Sequence, residues 1–63
     1  MTTGERIKKL RKDRGLTQSE LAKEIGISRS YMSEIESDKR NMSIKTLTKI
    51  ATGLDISLSF LLD

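Results

Sequence analysis

Four times along the chain one short pattern recurs: an apolar residue, then serine or threonine, three further residues, and a second apolar residue. It spans Leu16-Thr17 to Leu21, Ile27-Ser28 to Met32, Met42-Ser43 to Leu47, and Ile56-Ser57 to Leu61. A hydroxyl in this position accepts a hydrogen bond from an unpaired amide of a helix's first turn, and the flanking apolar pair closes over that turn as a staple. Each repeat therefore predicts a helix start. Thr17 with Glu20 completes a capping box, and Thr2 with Glu5 offers another ahead of the first repeat. Five helices are expected, and no strand-like alternation is long enough to compete.

Apolar spacing sets their extents. The first helix is predicted from about Gly4 to Arg14 with Ile7 and Leu10 inward, the second from Gln18 to Ile25 with Leu21, Ala22 and Ile25 inward. A third, Arg29 to Ser37, buries Met32 and Ile35, and a fourth, Ile44 to Leu54, shows Leu47, Ile50, Ala51 and Leu54 as a core-facing stripe. Leu58 to Leu62 forms a short closing piece. Gly15 and Gly26 end the first two helices as left-handed residues do. The second and third helices are too short to be stable alone in water, and their connection is too short for an antiparallel pair. They must cross steeply, which is helix-turn-helix geometry over about residues 18–37.

At 63 residues the chain reads as a single domain, 1–63, near the lower size at which a core forms without disulfides or metal. It has neither cysteine nor histidine, which removes thiol nucleophiles, histidine bases and the usual zinc ligand sets. No enzyme activity, metal, cofactor or small-molecule ligand is expected, nor a second domain to sense one. The N-terminus lacks a signal-peptide apolar region, and no apolar run approaches the roughly 20 residues that span a bilayer. The expectation is a cytoplasmic protein without a membrane partner.

The formal charge of +3 is unevenly spread. Arg6, Lys8, Lys9, Lys12 and Arg14 precede the helix-turn-helix, and Lys39, Arg40, Lys45 and Lys49 follow it. Such cations form either an ordinary solvated face or a surface for an anionic partner, and charge alone does not separate the two.

The third helix carries more information. With Met32 and Ile35 inward, Arg29, Ser30, Ser33, Glu34 and Ser37 project outward. Small side chains allow close approach to a groove, Arg29 suits guanine O6 and N7, and Glu34 can accept from cytosine N4. The same residues also suit a solvated surface helix. Gln18 and Ser19 begin the second helix, where amides meet a phosphate. Ser37, Lys39, Arg40 and Asn41 are further candidates for backbone contact. Tyr31 either lays its hydroxyl on a phosphate or only packs its ring on the turn. Glu36 and Arg11 both stand at the border of the buried side, so a bridge between them is expected to tie the third helix to the first.

Ile7, Leu10-Arg11, Gly15-Leu16-Thr17-Gln18, Leu21-Ala22, Gly26-Ile27-Ser28, Ile35-Glu36, Leu47, Ile50-Ala51 and Leu54 together resemble the Cro/C-type phage repressor helix-turn-helix family, also called XRE, over about residues 4–62. Arg29 to Glu36 followed by Lys39-Arg40-Asn41-Met42-Ser43 looks, within it, like the controller proteins of restriction–modification systems. The resemblance implies an all-α, five-helix, lambda-repressor-like domain. It also implies base contacts from Arg29, Ser30, Ser33 and Glu34, a phosphate contact from Gln18, and the Arg11–Glu36 bridge. Many members carry proline where Met42 stands and glycine where Asp38 and Asp55 stand, so different loop paths are expected there.

The function implied is a transcriptional regulator of duplex DNA, dimeric on a two-fold site, with autoregulation and contact with RNA polymerase as further expectations. Leu58, Phe60, Leu61 and Leu62 offer more apolar surface than so small a core needs. Phe60 and Leu61 are assigned to the core, Leu58 and Leu62 to a dimer interface. The alternative from another class is an antitoxin-like protein-interaction module whose DNA binding is secondary; the long tail suited to wrapping a partner is not seen.

Overall fold

The computed structural model describes residues 1–62 and holds α1 (Thr3–Asp13), α2 (Gln18–Ile25), α3 (Arg29–Glu36), α4 (Ile44–Gly53) and α5 (Leu58–Leu62). There is no strand among the described residues. Boundaries differ from expectation by one residue: α1 begins and ends one earlier, while Ser37 and Leu54 serve as C-caps of α3 and α4.

The hydroxyl pattern explains where helices begin. Glu5 N–H donates to Thr2 Oγ1 at 3.1 Å, Glu20 to Thr17 at 3.0 Å, Tyr31 to Ser28 at 3.0 Å and Thr46 to Ser43 at 3.2 Å. In both capping boxes the carboxylate returns the bond, accepting from the Thr2 or Thr17 amide at 2.8 Å. The fourth repeat behaves differently. Ser57 pairs its hydroxyl with Ser59 at 3.1 Å, and Phe60 N–H reaches the Ser57 carbonyl instead, because α5 is little more than one turn.

All five helices meet in one core. Ile7, Leu21, Met32, Ile35, Ile50, Leu54 and Leu61 are fully buried, joined by Ala22, Leu47 and Ala51. Each large side chain so placed contributes about 1.5–3 kcal/mol. The leading apolar residue of every repeat, Leu16, Ile27, Met42 and Ile56, packs against this cluster, as do Leu10 and Ile25. Among the helices, α3 packs on α1 and α2, and α4 on α2 and α5.

The C-terminal assignment needs correcting. Phe60 is 55% exposed, whereas Leu58 packs against the core. The reason is helical spacing: Leu58 lies three residues before buried Leu61 and shares its side of α5, which turns Phe60 and Leu62 outward.

The two aspartates at family glycine positions adopt the conformation glycine would take, with φ 62° at Asp38 and 57° at Asp55. A left-handed residue with a side chain costs about 1–2 kcal/mol, although aspartate tolerates it better than most. Asp38 offsets the cost by capping α1 from the far end of α3: Oδ1 accepts from Gly4 N–H at 3.1 Å, and Oδ2 from the Thr2 hydroxyl at 2.5 Å. Asp55 sits 3.5 Å from Arg14, which also donates to the Leu54 carbonyl.

Candidate nucleic-acid interface

Between α2 and α3 the chain turns in three residues. Gly26 takes φ 77°, and Ile27 N–H returns to the Ala22 carbonyl at 2.9 Å, closing the end of α2 before Ser28 caps α3. Met32, Ile35 and Glu36 are buried, so α3 has one side fixed to the core. At about 100° per residue, Ser30 and Glu34 fall opposite that side. Arg29, Ser30, Ser33 and Ser37 are exposed, and Glu34 is partly so. Arg29 has no protein partner among the described residues.

Behind this face lies a buried polar cluster. Arg11 donates from Nε to Glu36 Oε2 at 2.6 Å and from Nη2 to Oε1 at 3.0 Å. Its Nη1 reaches the Leu16 carbonyl at 2.7 Å, and Gln18 Nε2 donates to Glu36 Oε1 at 3.0 Å. Both charged side chains are almost fully buried. The expected bridge is therefore present, and it extends to α2. Sequence reasoning assigned Gln18 to phosphate alone and missed its place in this cluster; the motif neighbours Leu16 and Gln18 were the available signal. One amide hydrogen and the carbonyl oxygen of Gln18 remain without partner among the described residues.

The other candidate phosphate residues divide. Ser19, Lys39 and Asn41 are exposed. Ser37 turns its hydroxyl back to the Ser33 carbonyl at 3.0 Å. Arg40 is engaged on the protein itself: its Nε lies 3.3 Å from Glu34 Oε1, and its guanidinium carbon lies 5.8 Å from the centroid of the Tyr31 ring. Tyr31 packs its ring against the core cluster. At the start of α2, the Thr17 amide holds the Glu20 carboxyl below its ordinary value of 4.5. On α1, Lys8 and Lys12 are exposed, and Lys9 pairs with Asp13 at 3.1 Å.

A helix-turn-helix family model matches residues 7–61. The chain belongs to the XRE-type helix-turn-helix family, whose members are DNA-binding transcription regulators. Over 59 residues it is 49% identical to the immunity repressor protein of Bacillus phage phi105, covering 94% of this chain and 41% of the repressor. It is 48% identical over 57 residues to control protein C.MunI of a Mycoplasma species, covering 89% of this chain and 77% of that protein. The structure of SinR, a master regulator for biofilm formation, in complex with DNA matches with a TM-score of 0.93 and 44% identity over 98% of this helix-turn-helix domain and all of that chain. The domain spans about two fifths of the phage repressor's length and 55% of that of SinR from Bacillus subtilis. No described helix is long and apolar enough to cross a membrane.

Proposed function

We propose that this domain regulates transcription by binding duplex DNA sequence-specifically, as a homodimer on a two-fold site. The observation that carries the reading is the two-sided character of α3: its inner side is fixed by Met32, Ile35 and the Arg11–Glu36–Gln18 cluster, while Arg29, Ser30 and Ser33 stand exposed. Rigid presentation of short polar side chains and one unpaired arginine suits a major groove. Arg29 pairs with guanine O6 and N7, Ser30 and Ser33 take either donor or acceptor edges, and Glu34 accepts from an amino group. Ser19 and the remaining amide hydrogen of Gln18, at the N-terminus of α2, meet a phosphate together with Lys39, Arg40 and Asn41.

Exposed Leu62 is the surface for the second copy, with Leu58 beneath it, while Phe60 is exposed on the other flank of α5. Similarity to a phage immunity repressor and to a control protein supports autoregulation, exerted at the promoter by excluding or contacting RNA polymerase. The test is selection of bound duplexes from a random pool at near-physiological salt, with sedimentation at micromolar concentration alongside. The expected result is a dimer and an enriched two-fold motif whose half-sites lie about one DNA turn, roughly 34 Å, apart. Absence of any enriched motif contradicts the reading and favours a protein partner.

A further inference from the structure

Glu34 poses a problem for a DNA-reading face. It lies opposite the buried side of α3, with small Ser30 one turn before it and Ser37 nearly one turn after, so its carboxylate stands at the middle of the surface that would enter the groove. An uncompensated carboxylate there is repelled by every phosphate nearby. The structure supplies compensation within the chain. Arg40 places Nε 3.3 Å from Glu34 Oε1 and lies over the Tyr31 ring, which is itself packed against the core. The pair stands at the surface, with side-chain exposures of 42% for Glu34 and 59% for Arg40, open to a groove that meets this side of α3.

We propose that Arg40 is the positioning residue for Glu34, and that the two read a base as one unit. The inference rests on the DNA-binding reading and adds to it a specificity element. Arg40 faces the carboxylate through Nε, and the terminal N–H groups of its guanidinium are assigned to a backbone phosphate. Its charge offsets that of Glu34, and its guanidinium lies over the Tyr31 ring. Glu34 Oε1 faces the arginine, which leaves Oε2 to accept from an exocyclic amino group in the major groove, that of cytosine or adenine. Arg40 thus contributes twice, through a phosphate and through the geometry of its neighbour.

This makes the two residues energetically coupled, which independent contacts are not. The experiment takes the motif enriched by the wild-type domain and measures binding to duplexes in which each base pair is varied, for wild type, Glu34→Gln, Arg40→Ala, Arg40→Lys and the double variant Glu34→Gln/Arg40→Ala. Circular dichroism checks that each is folded. At one amino-bearing position Glu34→Gln is expected to reduce base preference by roughly tenfold, within what a single base-edge contact discriminates. Arg40→Ala is expected to lose the same preference at that position while weakening all sequences. Arg40→Lys restores general affinity but not the preference, because an ammonium lacks the planar group that fits the ring and the carboxylate. The double variant loses less than the product of the two single losses.

Retention of the preference in Arg40→Lys, or multiplicative losses in the double variant, overturns the proposal while leaving DNA recognition intact. Failure of the wild type to enrich any motif overturns both.

Discussion

Arg11 and Glu36 meet side-on inside the domain, with Nε to Oε2 at 2.6 Å and Nη2 to Oε1 at 3.0 Å, and so join the first helix to the inner side of the third. The carboxylate also accepts from Gln18, and the remaining guanidinium edge serves the Leu16 carbonyl. No buried side-chain nitrogen or oxygen among the described residues is left without a partner. The cluster fixes the two halves of the helix-turn-helix to α1 and sets how α3 is presented.

Removal of either charge leaves the other buried and uncompensated, at a cost of about 3–5 kcal/mol. A domain of 63 residues has only about 3–9 kcal/mol in total. Glu36→Gln is therefore expected to move the urea midpoint sharply down or to unfold the domain outright. The double variant Arg11→Met/Glu36→Met is expected to be more stable than Glu36→Gln, since it buries no charge. A midpoint for Glu36→Gln equal to that of wild type would show that the pair contributes nothing to the fold.

Gly4 sits where α1 meets the end of α3. A β-carbon there would come within 2.5 Å of the Ile35 carbonyl oxygen, 2.6 Å of Asp38 Oδ1 and 2.9 Å of the Glu36 carbonyl oxygen. Two of the three atoms are backbone and cannot move aside cheaply. At Gly53 the nearest atoms are side-chain methyls, Ile25 Cγ2 at 2.6 Å and Leu21 Cδ1 at 3.1 Å. Alanine gains about 1 kcal/mol in helix propensity at either site, while overpacking costs about 1–3 kcal/mol. Thermal unfolding should show Gly4→Ala clearly below wild type and less stable than Gly53→Ala; the reverse order would mean that the α1–α3 approach is loose.

The capping carboxylates give the domain an acid-sensitive component. The Thr2 and Thr17 amides hold the Glu5 and Glu20 carboxyls below the ordinary value of 4.5. For a group whose folded pKa is depressed, the stability contribution is complete above the unfolded value and is lost as pH falls through the folded one. Stability should thus decline as pH drops below 4.5, and Glu5→Gln/Glu20→Gln, which keeps an acceptor for each amide, should show a shallower decline. Identical acid limbs in the two proteins would exclude the boxes as its source.

Most of this architecture is legible in the chain because the signals are local. Thr17, Ser28 and Ser43 declare helix starts through partners three residues away, and the apolar spacing of α4 needs nothing beyond its own sequence. At Phe60 the expectation fails because α5 holds a single i, i+3 pair, Leu58 and Leu61, and no second turn repeats the spacing that marks its inner side. From the chain alone Gln18 and Arg40 suggest only phosphate contacts, because their protein partners depend on tertiary position. Glu36 reaches Gln18 only after α2 and α3 pack, and Arg40 returns to Glu34 only because the chain turns at left-handed Asp38. The exposed side of α3 was legible, since a buried set of Met32 and Ile35 leaves it no other orientation.

Salt separates the two classes of proposed DNA contact. Neutralised phosphates release counterions, so affinity should fall steeply with ionic strength. Lys39→Ala is expected to weaken all duplexes similarly and to reduce the slope of log affinity against log salt by about 2, one for each copy in the dimer. Anisotropy titrations at several salt concentrations measure it. An unchanged slope would remove Lys39 from the phosphate contacts.

The most direct test of sequence recognition is a duplex selection run side by side with wild type and Arg29→Ala. A two-fold motif is expected for the wild type and, in the variant, loss of guanine preference at one position of each half-site, with a loss of about 1–3 kcal/mol per half-site on the original motif. An unchanged motif in Arg29→Ala, or uniform weakening across all sequences, would contradict the claim that this exposed arginine at the head of α3 reads a base.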